Sequence, residues 1–435
     1  RGRMYRSPFG NALRRSVFLP LVALALASSV SGQELPHAIP EDVGLSATRL
    51  ERLTQTLDAF VSDAKLPGVV ALVLRDGAVV YEHAAGFRDI EAGDPMRTDA
   101  IFRIASQTKA LVSVGILMLQ EDGALLIGDR VSKYLPSFTE TTVAAPREGG
   151  GYDVVQANRS ITIRDLLTHT AGIGYGGGPG GDRWSAAGIT GWYFADRDEP
   201  VRATVDRMPS LPFPSQPGER FVYGYNTDIL GAVIEQVSGL SLEAFLKSRI
   251  LEPLDMRDTH FYLPTAKRER LATVYNQGAE LQVVRAPDGP GMDSQGQYVN
   301  GPRQSFSGGA GLLSTARDYA RFLQMMQNGG SLNGAHLLSP TTVSLMTSNH
   351  IGDLNGTAMG FGLGFQIRRD VGGAGQPGSV GEYGWGGAYH STYWVDPSEK
   401  LVVVYFTQVR PGGGLDDHAK LRSLVYASIL DSPGS

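Results

Sequence analysis

Strand-like segments lie at the two ends of this 435-residue chain, and helical segments fill the middle. Near the start, Val69-Val-Ala-Leu-Val-Leu74 and Val79-Val-Tyr81 flank Asp76-Gly77, the pattern of a hairpin closed by a tight turn. Near the end come Leu363 to Arg368, Ser391 to Val395 and Leu401 to Phe406, the last two joined across Asp396-Pro397. Short apolar runs of this kind are stable only when paired into a sheet packed on helices. One lobe built from both termini, with a helical lobe inserted, satisfies that requirement. The expected organisation is therefore an α/β lobe from residues 33–130 and 291–435 and a mainly helical lobe from 131–290, together one domain.

The helices carry their own signals. From Ser46 to Ser62, Leu50, Leu53, Leu57, Phe60 and Val61 share one face, and Pro67-Gly68 ends the element. Ile104 to Glu121 is apolar nearly all round, so it belongs in the interior, with Gly123 at the C-terminal cap. Asp228 to Val237, Leu242 to Ile250 and His418 to Leu430 are also expected as helices, whereas Gly172 to Gly181 and Pro287 to Gly309 read as loops.

Residues 1–32 read as a cleavable signal peptide. Arg14-Arg15 precedes an apolar run of about 12 residues, too short to span a bilayer, and small residues follow as far as Gly32. Cleavage near Gly32 predicts a periplasmic or secreted protein with no stable membrane anchor after processing. All charge in that segment is basic, five Arg, so the remaining chain has 34 basic against 44 acidic residues. Such a surface does not attract nucleic acid or anionic lipid. The absence of cysteine excludes disulfides, zinc-thiolate sites, iron–sulfur clusters and a thiol nucleophile.

The chain has no Gly-x-Ser-x-Gly, no His-Glu-x-x-His and no phosphate-binding loop. Ser-x-x-Lys occurs twice, as Ser62-Asp-Ala-Lys65 and Ser106-Gln-Thr-Lys109. Ser62 sits at the exposed end of the amphipathic helix, where a solvated face explains it. Ser106 opens the buried helix, and Lys109 follows one turn on, along the same face. A lysine withdrawn from water gives up its proton more readily and can take one from a serine. The bland alternative is a helix cap and a snorkelling lysine.

Two further stretches stand out. Phe221-Val-Tyr223-Gly-Tyr225-Asn226-Thr-Asp228 precedes a helix, and a phenol beside a lysine can relay a proton; aromatic packing would explain it equally well. Tyr383-Gly-Trp385-Gly386-Gly387-Ala388-Tyr389-His390 sets glycines on a sheet edge, where N–H groups stay free to donate; a plain β-bulge is the alternative.

In order and spacing, the three stretches resemble the serine β-lactamase-like superfamily: class C β-lactamases, D-alanyl-D-alanine carboxypeptidases and family VIII carboxylesterases. Leu166-Leu-Thr-His169-Thr-Ala-Gly172 and Gly311-Leu-Leu-Ser314 are further landmarks. The resemblance implies an α+β fold, an antiparallel sheet flanked by helices plus an inserted helical lobe, with the active site between. It implies Ser106 as nucleophile, Lys109 and Tyr223 as proton carriers, and the backbone of Ser106 and Ala388 as oxyanion hole. Tyr225-Asn226 is the rival register for the tyrosine. Trp385-Gly386-Gly387 stands where β-lactamases carry Lys-Thr-Gly, which resembles the esterases and implies substrate contacts with uncharged esters. No cofactor or metal is expected. The alternatives are a β-lactamase or D-alanyl-D-alanine carboxypeptidase, and a non-catalytic peptidoglycan-binding protein.

Overall fold

The computed structural model describes residues 34–432; the expected signal segment, 1–32, lies outside them. Its centre is an eight-stranded sheet. Three strands come from the N-terminal end: β1 (Gly68–Arg75), β2 (Ala78–Asp89) and β3 (Asp94–Pro95). Five come from the C-terminal end: β4 (Met359–Phe361), β5 (Gln366–Arg368), β6 (Tyr383–Gly387), β7 (Ser391–Asp396) and β8 (Leu401–Phe406). The spatial order is β4-β5-β6-β7-β8-β1-β2-β3, and every pairing is antiparallel. The two ends of the chain meet where β1 pairs with β8, Val70 opposite Phe406 and Arg75 opposite Leu401.

β1 and β8 are buried along their whole length. Their alternate residues serve two cores, as the two-residue period of a strand requires. Val70, Leu72 and Leu74 join one core; Val69, Ala71 and Val73 join the other. The second core is closed by α1 (Ala47–Ser62) and the C-terminal helix α5 (Asp417–Ala427), through Leu53, Leu57, Phe60, Leu421 and Val425. The first core is closed by α4 (Ala316–Gln327) and continues into α2 (Thr108–Glu121) and α3 (Asn226–Ser238).

Two features depart from the sequence expectations and a third refines them. A 3₁₀ turn, Ala105–Gln107, precedes α2, so Ser106 lies in that turn and not in the α-helix itself. The middle of the chain also holds a hairpin, Thr142–Pro146 with Tyr152–Gln156, where helices and loops were expected. The glycine-rich stretch Tyr383–Gly387 is a regular strand paired with β7 over its full length. On its other side only Tyr383 and Gly384 pair with β5, so Trp385–Gly387 form an open edge. Among the described residues, no single helix is long and apolar enough to cross a membrane.

Candidate active site

The Ser106 turn is held from several sides. Ile104 N donates to Leu312 O (3.1 Å) and Leu312 N to Thr108 Oγ1 (3.0 Å), which fastens the Gly311-Leu-Leu-Ser314 segment to the start of α2. Gln107 Nε2 donates to Ser391 Oγ at 3.1 Å, and the Tyr319 hydroxyl donates to Gln107 O at 2.9 Å. Ala105, fully buried, has φ +44°, in the left-handed region that costs a non-glycine residue on the order of 1 kcal/mol or more. Strain is thus stored one residue before Ser106. Ser106 itself lines a cleft of about 810 Å³, shared with Tyr175, Trp192, Tyr223 and Trp385.

Lys109 follows on the first turn of α2 and is 3% exposed. Its Nζ donates to Gly309 O at 2.7 Å and to the Tyr175 hydroxyl at 2.9 Å, and sits 4.6 Å from the centre of the Tyr223 ring. Below it lies Asp228, whose Oδ1 accepts from Ser307 Oγ (2.6 Å) and Gly309 N (3.0 Å). Burial pushes the Asp228 carboxyl above the usual carboxylate range, against the pull of Lys109. Burial likewise pushes the Tyr175 phenol well up, so its hydroxyl keeps its proton while accepting from Lys109.

The two tyrosine registers separate cleanly. Tyr223 lines the cleft, and its hydroxyl accepts from Trp385 Nε1 at 3.0 Å. Tyr225 is fully buried, stacks on Trp184 and donates to Gly191 O at 2.6 Å. Asn226 is also buried, its Nδ2 2.9 Å from His169 Nδ1 and 3.1 Å from Ile173 O. The residue between the tyrosines must be glycine: a Cβ on Gly224 would stand 2.3 Å from Ile173 O. That close approach sets Tyr223 beside Tyr175, ring centres 5.8 Å apart. His169 packs against Tyr223 at 4.6 Å, and burial drives its pKa well below the usual value, so it is neutral.

Trp385, Gly386, Gly387 and Ala388 all border the cleft. A Cβ on Gly387 would meet Ile104 O at 2.6 Å, so glycine there lets β6 close on the Ser106 turn. Among the described residues, neither the Ser106 nor the Ala388 amide donates to the backbone of another element. Ser62, by contrast, is exposed, donates to Ala59 O at 3.1 Å and lies off the cleft. Sequence reasoning missed Tyr175 and Trp192, which sit in and after the Gly172–Gly181 loop; their only signal was an aromatic residue among glycines.

The beta-lactamase family model matches residues 53–427. The chain belongs to the beta-lactamase family. It is 33% identical to esterase EstB of Burkholderia gladioli over 411 residues, covering 90% of this chain and 98% of that one. Among solved structures it resembles EstCE1, a hydrolase with promiscuous acyltransferase activity (TM-score 0.75, 27% identity, 87% of this chain and 98% of that one). Simvastatin synthase LovD of Aspergillus terreus shares the fold (TM-score 0.74, 23% identity, 88% of this chain and 99% of that one). As a member of this family with esterase relatives, the chain is a serine hydrolase.

Proposed function

We propose that this hydrolase cleaves small, uncharged carboxylic esters through an acyl-enzyme on Ser106. Ser106 Oγ attacks the ester carbonyl. Lys109 and Tyr223 take its proton and return it to the departing alcohol. The N–H groups of Ser106 and Ala388 receive the oxyanion, and water then releases the acid.

One observation carries the ester reading: the Trp385 indole stands on the cleft wall with its N–H donated to Tyr223 (3.0 Å). That contact presents an apolar ring to the substrate. The two arginines that also border the cleft, Arg368 and Arg422, are both engaged by Glu382. The names of EstB and EstCE1 point the same way. A second reading, action on β-lactams or D-Ala-D-Ala peptides, draws support from the open Trp385–Gly387 edge, where an extended peptide can add as a strand.

The deciding experiment compares kcat/KM for p-nitrophenyl butyrate, nitrocefin and a D-Ala-D-Ala peptide. The ester should lead by at least about tenfold, which is 1.4 kcal/mol in the barrier. Peptide turnover above ester turnover would transfer the assignment to the second reading. We also read residues 1–32 as an export signal; the mature mass after expression in a bacterial host tests for cleavage near Gly32.

A further inference from the structure

β6 leads into β7 through the turn Ala388-Tyr389-His390. At that turn His390 and His418, which both line the cleft, and Asp417 bring their ligating atoms within 4.8 Å of one another. Composition suggests a metal centre, yet the imidazoles of His390 and His418 lie face to face, 4.1 Å apart and 13° from parallel. A metal sits in the plane of each imidazole that binds it, and two stacked rings share no such point.

The hydrogen bonds describe a clamp instead. His390 Nε2 lies 2.8 Å from Asp417 Oδ1, and Asp417 Oδ2 accepts from the Tyr405 hydroxyl at 2.6 Å. Burial is the largest influence on Asp417 and would raise its pKa, but its His390 and Tyr405 partners hold it below the usual range; the ionised oxygen accepts and His390 Nε2 donates. His418 Nε2 lies 3.2 Å from His390 O; a carbonyl only accepts, so that nitrogen carries the proton. Side chain and main chain of His390 are therefore both gripped by the first turn of α5. The grip holds a strained residue, since His390 has φ +62°. His390 N in turn donates to Gly387 O at 3.1 Å, which encloses Ala388 in a closed turn.

We propose that Asp417 and His418 are positioning residues: by fixing His390 they aim the Ala388 N–H at the oxyanion. This rests on the reading of Ser106 and Ala388 given above. α5, the C-terminal helix of the described residues, thereby acts on the oxyanion site through one turn of backbone, although His418 and Arg422 also border the cleft.

Three variants test it: His418→Phe, which keeps a ring in the stack and removes the donor; Asp417→Ala; and Asp417→Asn, which keeps an acceptor for His390. Removing an oxyanion donor outright costs on the order of 10²–10³ in kcat, so misaiming one should cost about tenfold or more. For p-nitrophenyl butyrate, kcat should fall by that factor in His418→Phe and Asp417→Ala, with KM within about twofold, and Asp417→Asn should recover most of it. Each Tm is measured, and His418→Phe decides the matter if Asp417→Ala does not fold. Full kcat in a folded His418→Phe overturns the proposal, as does a joint decline of kcat, KM and Tm without rescue by Asn. Ser106→Ala separates the two levels. If it stays active, the site reading itself fails; if it is inert while His418→Phe is normal, only the clamp fails.

Discussion

The indole N–H of Trp385 donates to the Tyr223 hydroxyl at 3.0 Å, and the two rings lie 5.3 Å apart. The residue that sets the polarity of the cleft wall is thus also a hydrogen-bond partner of Tyr223, the proton carrier proposed above. Trp385→Phe keeps a ring and loses the donor. It should lower kcat about tenfold with little change in KM, a loss of about 1.4 kcal/mol in the transition state alone. Trp385→Lys should move the ratio of β-lactam to ester turnover upward, because it places a cation on the wall. Steady-state kinetics on p-nitrophenyl butyrate and benzylpenicillin measure both effects.

Tyr223 and Tyr225 should respond oppositely to loss of their hydroxyls. Tyr223→Phe removes a group on the cleft and should cut kcat by about 10²-fold or more, the usual range for a general acid–base residue. Tyr225→Phe removes only a buried bond to Gly191 O, so it should cost about 1 kcal/mol of stability and leave kcat near wild type. Kinetics and thermal melts of the pair decide; a severe kinetic loss in Tyr225→Phe alone would reverse the register.

Tyr175 is the surprise of the site, because Lys109 donates to its hydroxyl at 2.9 Å while meeting only the ring face of Tyr223. Tyr175→Phe frees the Lys109 amino group to swing between Gly309 O and the cleft. The expected result is a several-fold drop in kcat together with a displaced pH–rate profile. An unchanged profile would make Tyr175 a packing residue.

The histidines set the acid side of the stability curve. Burial pushes His260 and His418 down to about 4, with Lys267 and His390 respectively adding to the effect. The unfolded chain takes up those protons near pH 6.5, and the folded one refuses them until about pH 4. Their contribution is therefore present above pH 6.5 and is lost as pH falls toward 4. Asp318 works in the opposite sense: burial raises it to about 6, so the folded state holds a proton that the unfolded chain binds only near pH 4. Asp228 and Glu235, also raised by burial, act with Asp318, whereas His169 and His350, also lowered by burial, act with His260 and His418, so four histidines stand against three acids. Tm should decline from pH 6.5 to 4, and His260→Gln should flatten that slope; a parallel slope in the variant would contradict the assignment.

What the sequence disclosed depended on how local the signal was. Ser106 and Lys109 lie three residues apart, across a 3₁₀ turn and the first turn of α2, and the buried apolar run that follows distinguished them from Ser62 and Lys65. The choice between Tyr223 and Tyr225 was not local: it depends on Gly224 passing within van der Waals distance of Ile173 O, a contact between distant segments. Tyr175 was hidden because glycine-rich loops have no periodicity to read. β6 was legible only as an edge, since its three glycines are poor strand formers and pairing with β7 overrides that preference. The Thr142–Gln156 hairpin escaped because Tyr152–Gln156 is mostly exposed, with no buried face to set an alternation, and its partner ends in Pro146.

The most direct test of the account is to label the protein with a fluorophosphonate and map the adduct by peptide mass spectrometry. The account predicts a single adduct on Ser106, loss of ester turnover in proportion to labelling, and no labelling in Ser106→Ala. An adduct on Ser62 or any other serine, or full ester turnover with Ser106 blocked, would contradict it.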